Sequence, residues 1–230
     1  MHGVARVFRA FSLLLCFVSA SAFAEALDWK VDKVSWQGPG CNFMGEKQNA
    51  WVIAAGNDLS IIYTKLGVKF KERKLGVDLS YCELVVPVNL SPGYYVSALD
   101  QKVLFGLSKS KGVDVEFFSE TNFARRANST QSDPRDLRKT IARVQLAYGA
   151  GKEVVKALEE ITMPLVHVRP GKDDSEPFER MCARNRKREL NFHSFTKVRV
   201  VKNRPEAQVS IAVDGQDLRL ETSNLVSRCP

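Results

Sequence analysis

Beyond its first 24 residues the 230-residue chain has no apolar run approaching 18 residues, so nothing in that remainder reads as a membrane-spanning helix. It has no CxxC pair and only three histidines, of which His167 and His193 lie beyond residue 24, so zinc lacks its usual ligand spacing and no metal is expected. With 14 Gly, 9 Pro and 5 Cys, a collagen-like or knottin-like chain is excluded. No G-x-S-x-G, H-E-x-x-H, phosphate-binding loop or dinucleotide fingerprint occurs, and no cofactor is expected. There is no internal repeat and no low-complexity tract. What remains is an ordinary globular composition, 44% hydrophobic, 26% charged and 9% aromatic, in which 34 Lys+Arg outnumber 26 Asp+Glu for a net charge of +8.

The N-terminus carries Arg6 and Arg9, an apolar run from Ala10 to Ala20, and Ser21-Ala22-Phe23-Ala24 before the acidic Glu25. A basic flank, a short apolar stretch and an A-x-A site are the parts of a secretory signal peptide, so residues 1–24 are expected to be removed by cleavage after Ala24. That removal leaves 32 bases and 26 acids, a net charge of +6, on one expected domain spanning 25–230. The expected location is secreted or periplasmic, with no transmembrane segment after cleavage.

Four cysteines then remain, Cys41, Cys82, Cys182 and Cys229. An even count in an oxidising compartment points to two disulfides. Of the three connectivities, Cys41 with Cys82 and Cys182 with Cys229 matches two separate blocks of strand pattern. Apolar residues alternate at Val34 and Trp36, at Leu66, Val68 and Phe70, and at Leu84, Val86, Val88 and Leu90. The alternation returns at Val113, Val115 and Phe117, at Val198 and Val200, at Val209, Ile211 and Val213, and at Leu218 and Leu220. Such a period puts one face of a strand in a core and the other in water. Turn residues separate the runs, and Asp214-Gly215 between two apolar stretches reads as a hairpin. The expected fold is therefore mainly β, a disulfide-linked antiparallel β-sandwich or a jelly-roll-like relative of one.

One region departs from that period. Asp133-Pro134 fits a helix start, and Leu137, Ile141, Val144 and Tyr148 recur at helical spacing, as do Val154 or Val155, Leu158 and Ile161. These residues predict a helical insertion over about 132–161, divided by Gly149-Ala150-Gly151 and flanked by loop-like stretches at 125–131 and 170–177.

The run Gly38-Pro39-Gly40-Cys41, the stretch from Cys82 through Pro87, Ser91-Pro92-Gly93-Tyr94-Tyr95 to Ser97, a third cysteine and one almost at the C-terminus resemble the secreted-protein family of domain of unknown function 4360. The likeness is good over most of 31–118 and looser over 178–229, and it does not reach the central stretch. The family usually has Pro after its Gly-Cys, where this chain has Asn42. The resemblance implies a secreted, disulfide-linked, mostly β domain and carries no catalytic residues. Read physically, Pro92-Gly93 makes a tight turn, and Pro87 marks its strand as an edge or a bulge there.

Candidate chemistry is thin. His193 precedes Ser194, but neighbours on a strand face opposite ways, which is poor geometry for a base and a nucleophile. Arg184-Asn185-Arg186-Lys187-Arg188, with Arg180 before it, is the densest basic run and the candidate anion-binding element. Tyr94 and Tyr95 are candidate ligand-stacking residues, since one of the two must point outward, while Trp36 and Trp51 fall in apolar strand patterns and are assigned to the core. The sequence thus predicts a noncatalytic exported interaction or binding module. Its expected partner is an anionic envelope or wall polymer or another surface protein, not nucleic acid. The alternative is a secreted hydrolase of a polysaccharide or cell-wall polymer.

Overall fold

The computed structural model describes residues 26–42, 48–70, 74–124, 142–162, 166–167 and 182–223. The expected signal peptide, Arg180 and Cys229 lie outside them. The strands are β1 Leu27–Trp29, β2 Ser35–Gln37, β3 Ala50–Ala55, β4 Asp58–Lys69, β5 Gly76–Leu90, β6 Tyr94–Lys109 and β7 Val113–Ala124. They continue with β8 Ala142–Tyr148, β9 Val154–Thr162, β10 Val166–His167, β11 Cys182–Ala183, β12 Arg188–Lys202 and β13 Val209–Ser223.

Two antiparallel sheets pack face to face. The first runs β1-β5-β12-β7-β8, with β2 also beside β5. The second runs β10-β6-β13-β4-β3, with β9 and β11 also beside β6. The two blocks of strand pattern are interleaved, since β5 pairs with β12 from Leu90↔Arg188 to Gly76↔Lys202, and β6 pairs with β13. All the alternating positions named from the sequence within β4, β5, β7, β12 and β13 are buried. Phe105 of β6 stacks on Phe117 of β7 across the gap at 5.4 Å. Burying each such ring contributes about 1.5–3 kcal/mol.

The sandwich interior also holds a polar belt. Ser119 and Thr121 continue the inward phase of β7, and Ser194 and Thr196 that of β12. They meet Tyr63, Gln101 and Gln216 from the second sheet: Ser194 Oγ donates to Gln216 Oε1 at 2.9 Å, Thr121 Oγ1 donates to Gln101 Oε1, and the Ser119 and Thr196 hydroxyls lie 3.1 Å apart. The amide nitrogens of both glutamines are buried with no hydrogen-bond partner among the described residues.

Three expectations need comment. The helical insertion is overturned, because its described part, 142–161, forms β8 and β9 instead. Ala142, Val144, Leu146 and Tyr148 alternate inward along β8, so a period of two fits the same residues that the helical spacing sampled at Val144 and Tyr148. Val155 is 73% exposed, as its outward phase requires. Asp214-Gly215 is likewise no hairpin. β13 runs straight through it with a register shift between Val213 and Gly215, and the strand keeps both neighbours on either side of the irregularity. Pro87, by contrast, sits where a break was anticipated. β2 pairs with β5 up to Val85 and β1 resumes at Val88, so the missing proline N–H falls between two short strands, and the Pro87 carbonyl accepts from Lys30 N at 2.8 Å.

The disulfide between Cys41 and Cys82 is present as expected. Cys182 is also disulfide-bonded, with its partner outside the described residues.

Candidate functional site

The basic run lies in the turn between β11 and β12. Arg184, Arg186 and Lys187 are exposed, whereas Arg188 is half-buried and donates from Nη1 to the Cys182 carbonyl at 3.2 Å. Lys187 Nζ is 3.0 Å from Asp28 Oδ2, and Lys30 bonds the same carboxylate. The Lys30 ammonium first, and that of Lys187 second, hold the Asp28 carboxyl well below the usual carboxylate range. The turn backbone is tied down as well. Gly93, at φ +86°, donates its N–H to the Ala183 carbonyl at 2.5 Å and the Arg184 carbonyl at 3.2 Å.

Tyr95 is only 4% exposed and Tyr94 packs half-buried against the core, so Tyr95 is withdrawn from any stacking surface. Trp51 differs from its assignment to the core. It is 40% exposed on β3, beside exposed Ile62 of β4, because the outward phase of that edge strand carries Trp51 and Ile53. A shallow groove of about 240 Å3 follows β4 and β13 between Thr64–Lys69 and Ser210–Asp214, where a Cβ at Gly67 would collide with the Ile211 carbonyl. His193 and Ser194 do face opposite ways. Ser194 is in the polar belt, and His193, 7% exposed, sets Nε2 2.9 Å from Glu83 Oε1 on the outer side. No three His, Cys, Asp or Glu side chains among the described residues cluster closely enough to hold a metal ion.

The most developed surface is the outer face of the first sheet, which the sequence reading did not single out. On β12 its residues are Asn191, His193, Phe195, Lys197 and Arg199, alternating with the inward positions. Register places Phe195 between Glu83 of β5 and Glu120 of β7, and Lys197 between Tyr81 and Phe118. The three rings form a half-buried cluster, with Tyr81 to Phe195 at 6.1 Å and Phe118 to Phe195 at 5.9 Å between centroids. The guanidinium of Arg143, from β8, lies 4.9 Å from the Phe118 centroid and Lys197 Nζ lies 5.7 Å from it. Arg199 pairs with Glu116 at 3.3 Å.

The N-terminal disulfide loop braces this cluster. Gly40 donates its N–H to the Tyr81 carbonyl at 2.9 Å, and Cys82, next along β5, holds Cys41. Gly38 sits at φ +117°, a conformation that favours glycine, and an added Cβ would strike the Tyr81 carbonyl and ring. The Gly-Pro-Gly-Cys run and the cysteine after Tyr81 therefore converge on one aromatic residue.

At the Arg188 end of the same face, Asn191 Oδ1 and His193 Nδ1 are buried with no hydrogen-bond partner among the described residues. The arrangement offers a ligand ring faces with carboxylates, amides and cations at their margins.

Neither family models nor curated proteins give a match to this chain. Among solved structures, the carbohydrate-binding module TmCBM61, determined in complex with beta-1,4-galactotriose, is similar over 83% of this chain and 90% of its own, at 10% identity and a TM-score of 0.26, a likeness too distant to transfer a residue or a ligand.

Proposed function

We propose that the protein is an exported, noncatalytic binding module that works at the cell envelope or outside the cell and contacts an envelope or wall polymer through the outer face of its first sheet. The observation that carries this reading is the cluster of Tyr81, Phe195 and Phe118 on the face turned away from the core. Core packing accounts for Phe105, Phe117 and Phe192, which lie between the sheets, but not for three touching rings on the outer side. Partly exposed aromatic groups gain most when a partner covers them. The Cys41–Cys82 disulfide fits the oxidising compartment that the N-terminal sequence calls for. In this reading the chain also stands beside the secreted family that its cysteine and Pro-Gly-Tyr-Tyr motifs resemble.

The test is retention of the purified protein, residues 25–230, on isolated envelope fractions of the native host. The wild type is expected to be retained and Phe195→Leu to be retained several-fold less. Absence of wild-type retention on every fraction would remove the reading.

A further inference from the structure

The chemistry of the same face narrows the ligand, if its role in binding is granted. We infer that the face takes a neutral, polyhydroxylated polymer, a glycan without carboxylate, sulfate or phosphate groups.

Around the rings Arg143, Lys197 and Arg199 stand against Glu83, Glu116 and Glu120, and Glu189 and Asp114 add carboxylates farther along the same outward phase, so the face presents no excess of positive charge. The cations are moreover engaged. Arg199 is held by Glu116 at 3.3 Å, and Arg143 and Lys197 lie over the Phe118 ring. An anionic polymer laid on Phe195 would meet Glu83 and Glu120 directly to either side of it, and like charges there repel at short range. The denser basic turn does not rescue such a ligand. Arg188 is seven residues from Phe195 along β12, about 23 Å at the rise of a strand, and Lys187 is already paired with Asp28.

An apolar partner fits no better. Covering the rings with it would also strip water from Glu83, Glu120 and Gln145 beside them, and an apolar surface offers no hydrogen bonds in exchange. A sugar ring resolves the conflict, because its C–H face packs on an aromatic ring while its hydroxyls donate to carboxylates and exchange hydrogen bonds with amides.

The test separates the ligand class from the binding reading itself. Polysaccharide extracted from the native host envelope is divided by anion exchange into unretained neutral and retained acidic fractions, and each is titrated against the protein in low salt and at about 0.5 M salt. The expected result is binding to the neutral fraction, unchanged within about twofold by salt. Phe195→Leu, and separately Phe118→Leu, should weaken it about tenfold, with melting curves showing each variant folded. Binding confined to the acidic fraction and lost in salt would overturn the neutral-ligand inference while leaving a binding module. Binding to the neutral fraction that both folded variants retain in full would also overturn it, by placing the contact elsewhere. Binding to neither fraction would remove both readings together.

Discussion

Lys109 Nζ donates to the Gly149 carbonyl at 3.0 Å and to that of Lys152 at 2.5 Å, so a buried ammonium on the second sheet holds the connection by which the chain passes from β8 of the first sheet to β9 of the second. The side chain is 2% exposed, and burial lowers its pKa while Asp114 opposes that shift. Asp114 Oδ1 accepts from Ala150 N at 2.8 Å in the same connection. Lys109→Met keeps the apolar stem and removes the donors, leaving both carbonyls unsatisfied. The expected loss is about 2–4 kcal/mol, read from urea unfolding. A variant as stable as the wild type would mean that water satisfies these carbonyls equally well.

A pH dependence follows from Tyr63. Burial pushes its phenol above the ordinary range, while a hydrogen bond with Thr196 acts the other way. The folded state therefore keeps the proton where the unfolded state releases it, above about pH 10. The contribution of Tyr63 is fully present below that pH and is lost as pH rises, by up to about 1.4 kcal/mol per pH unit. Lys109, whose folded pKa is lowered, has the opposite sign, because its unfolded state binds the extra proton just below the ordinary lysine pKa and its term rises with pH there. Comparing Tyr63→Phe with the wild type between pH 9 and pH 11 isolates the phenol. The variant is expected to show the shallower alkaline decline, and parallel declines would contradict the argument.

The β-sandwich was legible because burial enforces a period of two, and Leu84, Val86, Val88 and Leu90 or Val209, Ile211 and Val213 display it without interruption. The aromatic face was not legible for a reason visible in β12. There the inward positions change from Val198 and Val200 to Thr196 and Ser194, while Phe195 takes the outward phase. Hydrophobicity alone assigns that stretch backwards; carrying the valine phase through it would have turned Phe195 outward. Phe118 beside Phe117 gives the same signal on β7, since adjacent residues cannot both face the core. In β8 the error ran the other way. Its short span admits both periods, and only the pairing of Ala142–Tyr148 with β7 selects the strand.

The Cys41–Cys82 disulfide closes a loop with a sequence separation of 41 residues. Chain-entropy arithmetic gives about 4 kcal/mol for such a loop at 25 °C. Replacing both cysteines by Ala is expected to cost about 2–5 kcal/mol in urea unfolding under oxidising conditions. Because the loop also braces Tyr81, ligand retention at a temperature where the variant remains folded should fall as well. Unchanged stability would show that the strand pairing of β2 and β5 alone holds this segment.

The polar belt supplies a cycle whose sign is unusual. Thr121 Oγ1 donates to Gln101 Oε1 across the gap between the sheets, while Gln101 Nε2 is buried with no partner among the described residues. Thr121→Val removes the donor and leaves both ends of the amide unsatisfied, at an expected cost of about 1–3 kcal/mol. Gln101→Met removes the unpaired nitrogen but orphans the Thr121 hydroxyl, so its effect is expected to be smaller. Combining the two replaces every polar atom of the pair by apolar groups of similar shape. The double variant is then expected to be at least as stable as the wild type and more stable than Thr121→Val alone, with a coupling of about 0.5–3 kcal/mol in a double-mutant cycle. Strictly additive costs would mean that Gln101 Nε2 has a partner, such as an ordered water, and that the belt stabilises the interior between the sheets.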